Sequence, residues 1–231
     1  MAPTPPSAHN RHGAAAAVFG IPSAVMKLAL LEDRVERGTP LALGAADRVL
    51  YVVTGDVEIQ DRDGARMLGE NQAWHGAAAP VVHARSSATL WRWELRDGAS
   101  PNDGGVVKLE REVDVARAGS LMRCDRVDFP PGGVAYTHTH QGPGIRVLLH
   151  GTFRVEVEGR STAVAPGEAW FERGPDPVYA EAGPDAPAAF VRVMVLPAAL
   201  LGKSSIRYVK AEDQDRPKSQ RYSVFVDALL A

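Results

Sequence analysis

The sequence predicts an all-β protein made of two tandem jelly-roll barrels. Its apolar residues alternate with polar ones or form short runs bounded by Gly, Pro, Asp and Asn, which is typical of strands. Gly (22) and Pro (17) exceed average usage in the 231 residues, which favours a turn-rich chain. A hydrophobic content of 45% excludes disorder for most of the chain.

The third observation behind this fold class is an internal repeat. An apolar strand, a glycine turn and an alternating second strand follow one another over residues 48–59 and again over residues 144–155. The turn glycines Gly55 and Gly151 lie 96 residues apart, and the same distance separates Trp74 from Trp170. The chain therefore contains two homologous halves.

The pattern divides the chain into five segments in order. They are a flexible N-terminal tail (1–20), an N-terminal barrel (21–97), a linker (98–105), a C-terminal barrel (106–200) and a C-terminal extension (201–231). The linker is predicted from its density of turn-forming residues. The alternation over Tyr222–Asp227 predicts a strand that either covers a barrel edge or pairs with another subunit. Nothing in the extension indicates catalysis.

The second half carries the clearer strand pattern. We expect its strands near residues 123–128, 134–140, 146–149, 152–158, 161–164, 169–172 and 189–196. Short strands joined by tight turns in this number are typical of a jelly-roll sandwich or barrel.

Charge and cysteine content exclude several classes of partner. A net charge of −2 provides no general basic surface for nucleic acid or an anionic membrane. The longest apolar runs are far shorter than the roughly 20 residues that a membrane span needs. The single cysteine, Cys124, forms no intrachain disulfide, so we expect a buried core thiol and a cytoplasmic setting.

Two histidines on one predicted strand form the strongest functional signal. Alternate side chains of a strand share a face, so His138 and His140 offer two imidazoles to a single divalent ion. The plainer interpretation is that two polar residues alternate on a solvated face. The surrounding glycines, Gly132 before the pair and Gly151 after it, favour the site.

With this spacing, residues 106–197 resemble the cupin superfamily. Its first motif runs from a glycine through His-x-His and Glu to a second glycine, and Gly132, His138, His140 and Gly151 match it. Residues 166–178 occupy the place of the second motif, and residues 22–95 share the pattern more weakly through the repeat. The resemblance implies a bicupin, with two RmlC-like double-stranded β-helix barrels in one chain.

Two of the four usual cupin metal ligands are absent. Gly144 stands where the resemblance places the Glu, and Val178 stands where it places the second-motif His. We expect Glu172 to replace the missing carboxylate and complete a two-His, one-carboxylate set; the alternative is an exposed Glu172 paired with a nearby arginine. Gln141 adjoins His140 and is a weaker candidate, assigned to substrate binding.

Arg146 lies on the same predicted face as the vacant Glu position. A buried guanidinium needs a partner, which is either Glu172 in a structural ion pair or a substrate carboxylate. Alternation also places Tyr136 on the histidine face, so Arg146 and Tyr136 are the candidate catalytic residues. Trp170 and Tyr179 are candidate substrate contacts, unless they only fill the barrel.

The first half lacks the corresponding ligands. His75 and His83 are not arranged as His-x-His, and Arg48 stands where that half would place its Glu. A cation at that position opposes metal binding. We therefore expect a metal-free N-terminal barrel that packs against the C-terminal one.

Together, the residues and the resemblance imply a metal-dependent bicupin enzyme that acts on a small organic, carboxylate-bearing substrate. The resemblance favours a dioxygenase using Fe, with Mn, Ni or Zn as other metals. Two alternatives stay open: a non-catalytic cupin that binds a small molecule, and a redox-neutral metal-dependent isomerase or lyase. The resemblance also implies a homodimer.

Overall fold

The computed structural model describes residues 23–98, 103–157 and 159–230. These residues form nineteen strands and three short 3₁₀ turns, which confirms the all-β class. None of these helical turns is long or apolar enough to cross a membrane. The expected N-terminal tail and half of the expected linker, residues 99–102, lie outside the described residues.

The N-terminal barrel consists of two facing antiparallel sheets. One sheet has the strand order β6-β3-β8-β1-β9 and the other β2-β7-β4-β5. The strands are β1 (Ala24–Val35), β2 (Leu41–Ala42), β3 (Asp47–Thr54), β4 (Val57–Asp61), β5 (Gly64–Leu68), β6 (Ala73–Gly76), β7 (Val81–Ala84), β8 (Ala88–Arg96) and β9 (Val106–Val115).

The C-terminal barrel repeats this arrangement. Its sheets have the orders β15-β12-β17-β10-β19 and β14-β13-β16-β11-β18. The strands are β10 (Ser120–Phe129), β11 (Val134–His140), β12 (Gly144–His150), β13 (Phe153–Val157), β14 (Arg160–Val164), β15 (Ala169–Glu172), β16 (Val178–Ala182), β17 (Ala188–Pro197), β18 (Ile206–Tyr208) and β19 (Arg221–Leu229).

The repeat is visible at the turn that follows β3 and β12. Gly55 and Gly151 have φ of +81° and +86°. A Cβ on Gly55 would lie 3.0 Å from the Cα of Ala88, and one on Gly151 would lie 2.7 Å from the Cα of Ala188. Both positions need glycine because the left-handed backbone and the close approach of β8 or β17 exclude a side chain.

The strand β9 differs from its expected place. We assigned residues 106–115 to the C-terminal barrel, but β9 pairs with β1 and forms the edge of the N-terminal sheet. In the same way β19 pairs with β10 at the edge of the C-terminal sheet. Each half therefore ends with a strand that covers the edge of its own barrel.

The strand β19 contains the predicted Tyr222–Asp227 segment. Of the two roles expected for it, the structure has it cover the barrel edge of its own chain. Homodimerisation stays a prediction. The structure also adds β16, which the sequence pattern did not indicate, at the centre of the second sheet.

The two barrels pack against each other through the outer faces of two sheets. These are the sheet β6-β3-β8-β1-β9 of the N-terminal barrel and the sheet β15-β12-β17-β10-β19 of the C-terminal barrel. One continuous core contains residues from both, including Trp93, Tyr51, Cys124 and Val193. The indole Nε1 of Trp93 donates a hydrogen bond of 3.1 Å to the carbonyl oxygen of Ile145 across the interface. The buried position of Cys124 agrees with the expectation of a core thiol.

Candidate functional site

The histidine pair projects into the interior of the C-terminal barrel. His138 and His140 are only 7% and 2% exposed, so they do not belong to a solvated face. The pairing of β11 with β16 shifts register between Ala135 and His138. This irregularity interrupts the alternation and places Ala135, His138 and His140 on the inner face.

The two imidazoles converge on one point. Their Nε2 atoms lie 3.2 Å apart, and the ring planes are inclined by 84°. The Nδ1 atom of His138 lies 2.8 Å from the carbonyl oxygen of Tyr136, and Nδ1 of His140 lies 3.2 Å from Oγ of Ser205. Each ring is therefore oriented by a hydrogen bond on its Nδ1 side, the pattern found around metal-ligating histidines.

Glu172 also faces the interior and is 7% exposed. Its Oε1 atom accepts a hydrogen bond of 2.9 Å from Nε1 of Trp170. Its Oε2 atom lies 2.7 Å from Nη2 of Arg146 and 3.7 Å from Nε2 of His140. The Arg146 contact is close, but its angle is poor for a hydrogen bond, so Oε2 is buried without one.

The two vacant ligand positions adjoin this group. Gly144 is the cross-strand partner of Glu172, and Val178 is the cross-strand partner of His138. A Cβ on Gly144 would lie 2.6 Å from the carbonyl oxygen of Val193, so no side chain fits there. Val178 packs into the apolar core of the barrel.

A second buried arginine completes the site. Arg192 on β17 pairs with Asp125 on β10, with Nε 2.6 Å from Oδ1. Its Nη1 atom lies 3.2 Å from Nε2 of His140. The interior thus holds two guanidinium groups, Arg146 and Arg192, and two carboxylates, Glu172 and Asp125.

Burial controls the protonation of these groups. Burial, together with Arg192 and Arg146, lowers the pKa of both His138 and His140; Glu172 and the Tyr136 carbonyl oppose the shift of His138, whereas the pKa of His140 falls well below its usual value. Burial lowers the pKa of Arg146 to about 10, although Glu172 opposes this shift. For Arg192 burial acts in the same direction, but Asp125 outweighs it and raises the pKa. Near neutral pH, the site therefore combines neutral imidazoles with charged arginines.

The N-terminal barrel has an ion-pair network at the corresponding place. Arg48 pairs with Glu94 on β8 as Gly144 pairs with Met194 on β17, so Arg48 does occupy the vacant Glu position of its half. Its Nη2 atom lies 2.9 Å from Oε1 of Glu94, and both side chains are fully buried. Arg92 in turn contacts Asp33 through two hydrogen bonds.

Three other predicted residues lie away from the histidine pair. The register shift in β11 turns Tyr136 outward, where the guanidinium of Arg216 lies 5.0 Å from its ring, so it does not share the histidine face. Tyr179 is also outside, donating to Oε2 of Glu181 at 2.8 Å. Gln141 lies at the surface and accepts a hydrogen bond of 2.6 Å from Arg207.

Trp170, in contrast, lies inside the barrel. It packs with aromatic residues that fill most of the interior, with ring centroids 5.3 Å from Phe190 and 5.9 Å from Phe153. The remaining inner cavity measures about 20 Å³ and is bordered by both histidines and Glu172. That volume suits one water molecule or ion, so an organic substrate can enter the barrel only if the packed aromatic side chains move.

Sequence analysis did not identify three residues of the site, namely Asp125, Arg192 and Ser205. Arg192 and Asp125 share the parity of inward positions on their strands, but parity alone does not reveal their pairing. Ser205 belongs to the extension, which brings it to His140 by adding β18 to β11. The extension, in which the sequence pattern indicates no catalytic residue, thus contributes a hydrogen bond that orients His140.

The donor set suits a divalent ion in chemistry, although it is not a finished metal centre. Within the described ranges no three His, Cys, Asp or Glu side chains converge into a complete metal site. Two buried imidazole nitrogens 3.2 Å apart and a carboxylate oxygen without a hydrogen bond are nevertheless suitable ligands. Arg146 forms an ion pair with that oxygen, so Glu172 would have to move away from Arg146 to bind a metal.

Comparisons with known proteins agree with this architecture. Residues 125–194 match the family model of the cupin domain. A variant of oxalate decarboxylase OxdC from Bacillus subtilis has a TM-score of 0.61 at 14% identity over 83% of this chain and 73% of that one. AerE from Microcystis aeruginosa has a TM-score of 0.54 at 11% identity, covering 74% and 87% of the two chains.

No curated protein sequence matches this chain. The structural likenesses, at these identities, concern the fold. The protein has two jelly-roll barrels in tandem, and the C-terminal barrel contains a pair of histidines in its interior. Residues 125–194 are therefore a cupin domain, and the chain as a whole has a bicupin-like architecture.

Proposed function

We propose that the C-terminal barrel binds one divalent metal ion through His138, His140 and Glu172, and that the protein is a metal-dependent cupin enzyme acting on a small organic acid. The observation that carries the proposal is the convergence of two Nε2 atoms at 3.2 Å.

The hydrogen bonds of the two rings determine which nitrogens are free. The carbonyl oxygen of Tyr136 only accepts, so Nδ1 of His138 carries the proton and its Nε2 in the neutral ring has a lone pair. Arg192 only donates, so Nε2 of His140 also has a lone pair and its Nδ1 donates to Ser205. Neither Nε2 atom then carries a proton that the other could accept, so a cation bound to both nitrogens would stabilise their close approach.

The charge balance of the site indicates what else must bind. Without metal the two guanidinium groups are offset by the carboxylates of Glu172 and Asp125. A divalent ion would add two positive charges to a buried site, which is costly unless an anion accompanies it. A substrate carboxylate would supply that negative charge.

A metal in this position would supply Lewis-acid polarisation of substrate oxygen atoms, and iron would add redox chemistry with dioxygen. The chain's own residues have separate roles. Arg146 and Arg192 stabilise negative charge on the substrate. The aromatic residues Phe153, Trp170 and Phe190 exclude water from the barrel.

The reaction we propose first is oxygenation, because two histidines and one carboxylate are the ligand set of non-haem Fe(II) oxygenases. Redox-neutral metal chemistry by an isomerase or lyase is the second candidate. The third candidate is a protein that binds its ligand without catalysis. The two arginines are the observation in its favour, because Arg192 already donates to His140 and Arg146 forms an ion pair with Glu172.

Metal analysis tests the proposal directly. The purified protein is reconstituted anaerobically with Fe(II), Mn(II), Ni(II) or Zn(II), with and without malonate, dialysed and analysed for metal by mass spectrometry. We expect about one equivalent of metal in the wild type and less than about 0.1 in His138→Ala and His140→Ala. His150→Ala, at the exposed end of β12, is the matched control and should retain the metal.

Less than about 0.1 equivalent in the wild type under every condition would favour the binding-only protein. Metal retention without oxygen uptake, across a panel of organic acids, would favour the redox-neutral enzyme.

A further inference from the structure

The C-terminal extension builds a cleft beside the barrel. It adds β18 to β11 in one sheet and β19 to β10 in the other. Between these two added strands lies a cavity of about 510 Å³. This volume is within the range of small-molecule sites, whereas the inner cavity of the barrel holds only an ion or a water molecule.

We propose that this cleft is a binding site for a small organic acid with an aromatic or apolar body. The proposal does not depend on the metal, because no cleft residue it uses is one of the three proposed ligands.

The walls of the cleft suit an apolar body. Tyr208 and Ile206 line it from β18, and Tyr222 and Val224 line it from β19. Tyr222 and Val224 are 44% and 57% exposed, so they present apolar surface on the edge strand β19. A flat organic ring placed between the two strands would cover this surface.

The charges of the cleft favour an anion. Arg123 is neutralised by Asp227, with Nη2 2.9 Å from Oδ2, and Arg192 is neutralised by Asp125. Lys203 and Lys218 also line the cleft, and neither pairs with a carboxylate among the described residues. Two ammonium groups are therefore left in excess.

The two lysines differ in what they can offer. The ammonium of Lys218 donates to backbone carbonyls, including that of Arg216 at 2.8 Å, and lies 4.2 Å from the centre of the Tyr208 ring. It contributes a positive field while its donors are occupied. The ammonium of Lys203 is exposed and is the donor we assign to the ligand carboxylate.

The cleft also adjoins the histidine pair. Arg192, Ile206 and Tyr222 line both the cleft and the inner cavity. A larger surface cavity of about 890 Å³ lies at the end of the barrel, but it shares only His140 with the interior. The guanidinium group of Arg192 would therefore lie between a ligand in the cleft and the imidazole of His140.

Benzoate is the probe, and benzamide is its uncharged counterpart of the same shape. Binding to the full chain is measured by isothermal titration calorimetry and saturation-transfer NMR at low and moderate salt. We expect benzoate to bind saturably and more tightly than benzamide, and to weaken with added salt. Lys203→Met should weaken benzoate about threefold to tenfold and leave benzamide unchanged.

Lys210→Met is the matched control, since Lys210 is an exposed lysine of the same extension that does not line the cleft. It should bind benzoate as the wild type does. Tyr222→Leu should weaken both probes, and His138→Ala should weaken neither even though it abolishes metal binding.

The proposal is overturned if benzoate shows no saturable binding, if benzamide binds as tightly, or if Lys203→Met and Lys210→Met behave alike. Loss of benzoate binding in His138→Ala would also overturn it, because the acid would then bind at the histidines. Failure of metal binding in the wild type leaves these expectations unchanged.

Discussion

Gly144 and Glu172 are direct cross-strand partners on β12 and β15. The carboxylate of Glu172 thus lies opposite the vacant Glu position of β12, on the neighbouring strand of the sheet. Arg146, two residues after Gly144, extends into the same space, with Nη1 2.9 Å from where a Cβ on Gly144 would lie. This arrangement therefore brings a carboxylate and a balancing cation together.

Removing the charge of Glu172 should destabilise the fold. Glu172→Gln leaves the guanidinium of Arg146, which is fully buried, without its ion-pair partner. We expect a loss of about 3 kcal/mol in the free energy of unfolding, measured by urea denaturation of the metal-free protein. Glu156→Gln, at a more exposed pair with Arg154, should change the free energy of unfolding far less, because water screens that pair. Equal losses in the two variants would show that the buried ion pair stabilises the fold no more than the exposed one.

Ser205 should act as a positioning residue for His140. Ser205→Ala removes the oxygen 3.2 Å from Nδ1 of His140 and frees the ring to rotate. We expect a loss of about tenfold to a hundredfold in metal affinity, read from competition with a chromogenic chelator. The neighbouring Ser204→Ala should leave the affinity unchanged, because Ser204 is exposed and contacts the amide of Ile206 instead. An unchanged affinity in Ser205→Ala would remove this role.

His75 should make stability depend on pH. Burial lowers its pKa from the ordinary value of 6.5, so below that pH the unfolded chain binds a proton that the folded chain excludes. The free energy of unfolding therefore falls as pH decreases from about 7 to about 5, by at most about 1.4 kcal/mol per unit for this residue. His75→Gln should have a shallower slope than the wild type in urea denaturation. His150→Gln is the control, and an identical slope in both variants would contradict the prediction.

The repeat turn offers a test of local packing. Gly151→Ala places a Cβ 2.6 Å from the carbonyl oxygen of Pro187, in addition to the cost of its positive φ. Gly167→Ala meets a similar φ of +81° with open space around the new methyl group. We expect Gly167→Ala to cost about 1 kcal/mol and Gly151→Ala clearly more, by thermal denaturation. Equal costs would mean that β17 moves aside.

The sequence predicted most of the fold because strand alternation and turn glycines are local properties. The strand Val134–His140 and the shared face of its two histidines followed from that pattern. The direction of Tyr136 did not, because the register shift in β11 arises from pairing with β16. The sequence pattern also missed β16, because its small residues, such as Ala180, give a weak strand signal.

The residues that complete the site were harder to predict because they come from distant segments. Ser205 lies 65 positions after His140, and Asp125 lies 67 positions before Arg192. Such contacts depend on which strands become neighbours and not on any local pattern. The favoured pairing of Arg146 with Glu172 could be argued in advance only because a buried guanidinium requires a carboxylate.

The two barrels depend on each other for the burial of their outer sheet faces. Residues of β1, β3 and β8 share one core with residues of β10, β12 and β17, so neither half can be deleted without uncovering that apolar face. The outer face of the N-terminal half therefore stabilises the C-terminal barrel independently of the buried Arg48–Glu94 pair in its interior.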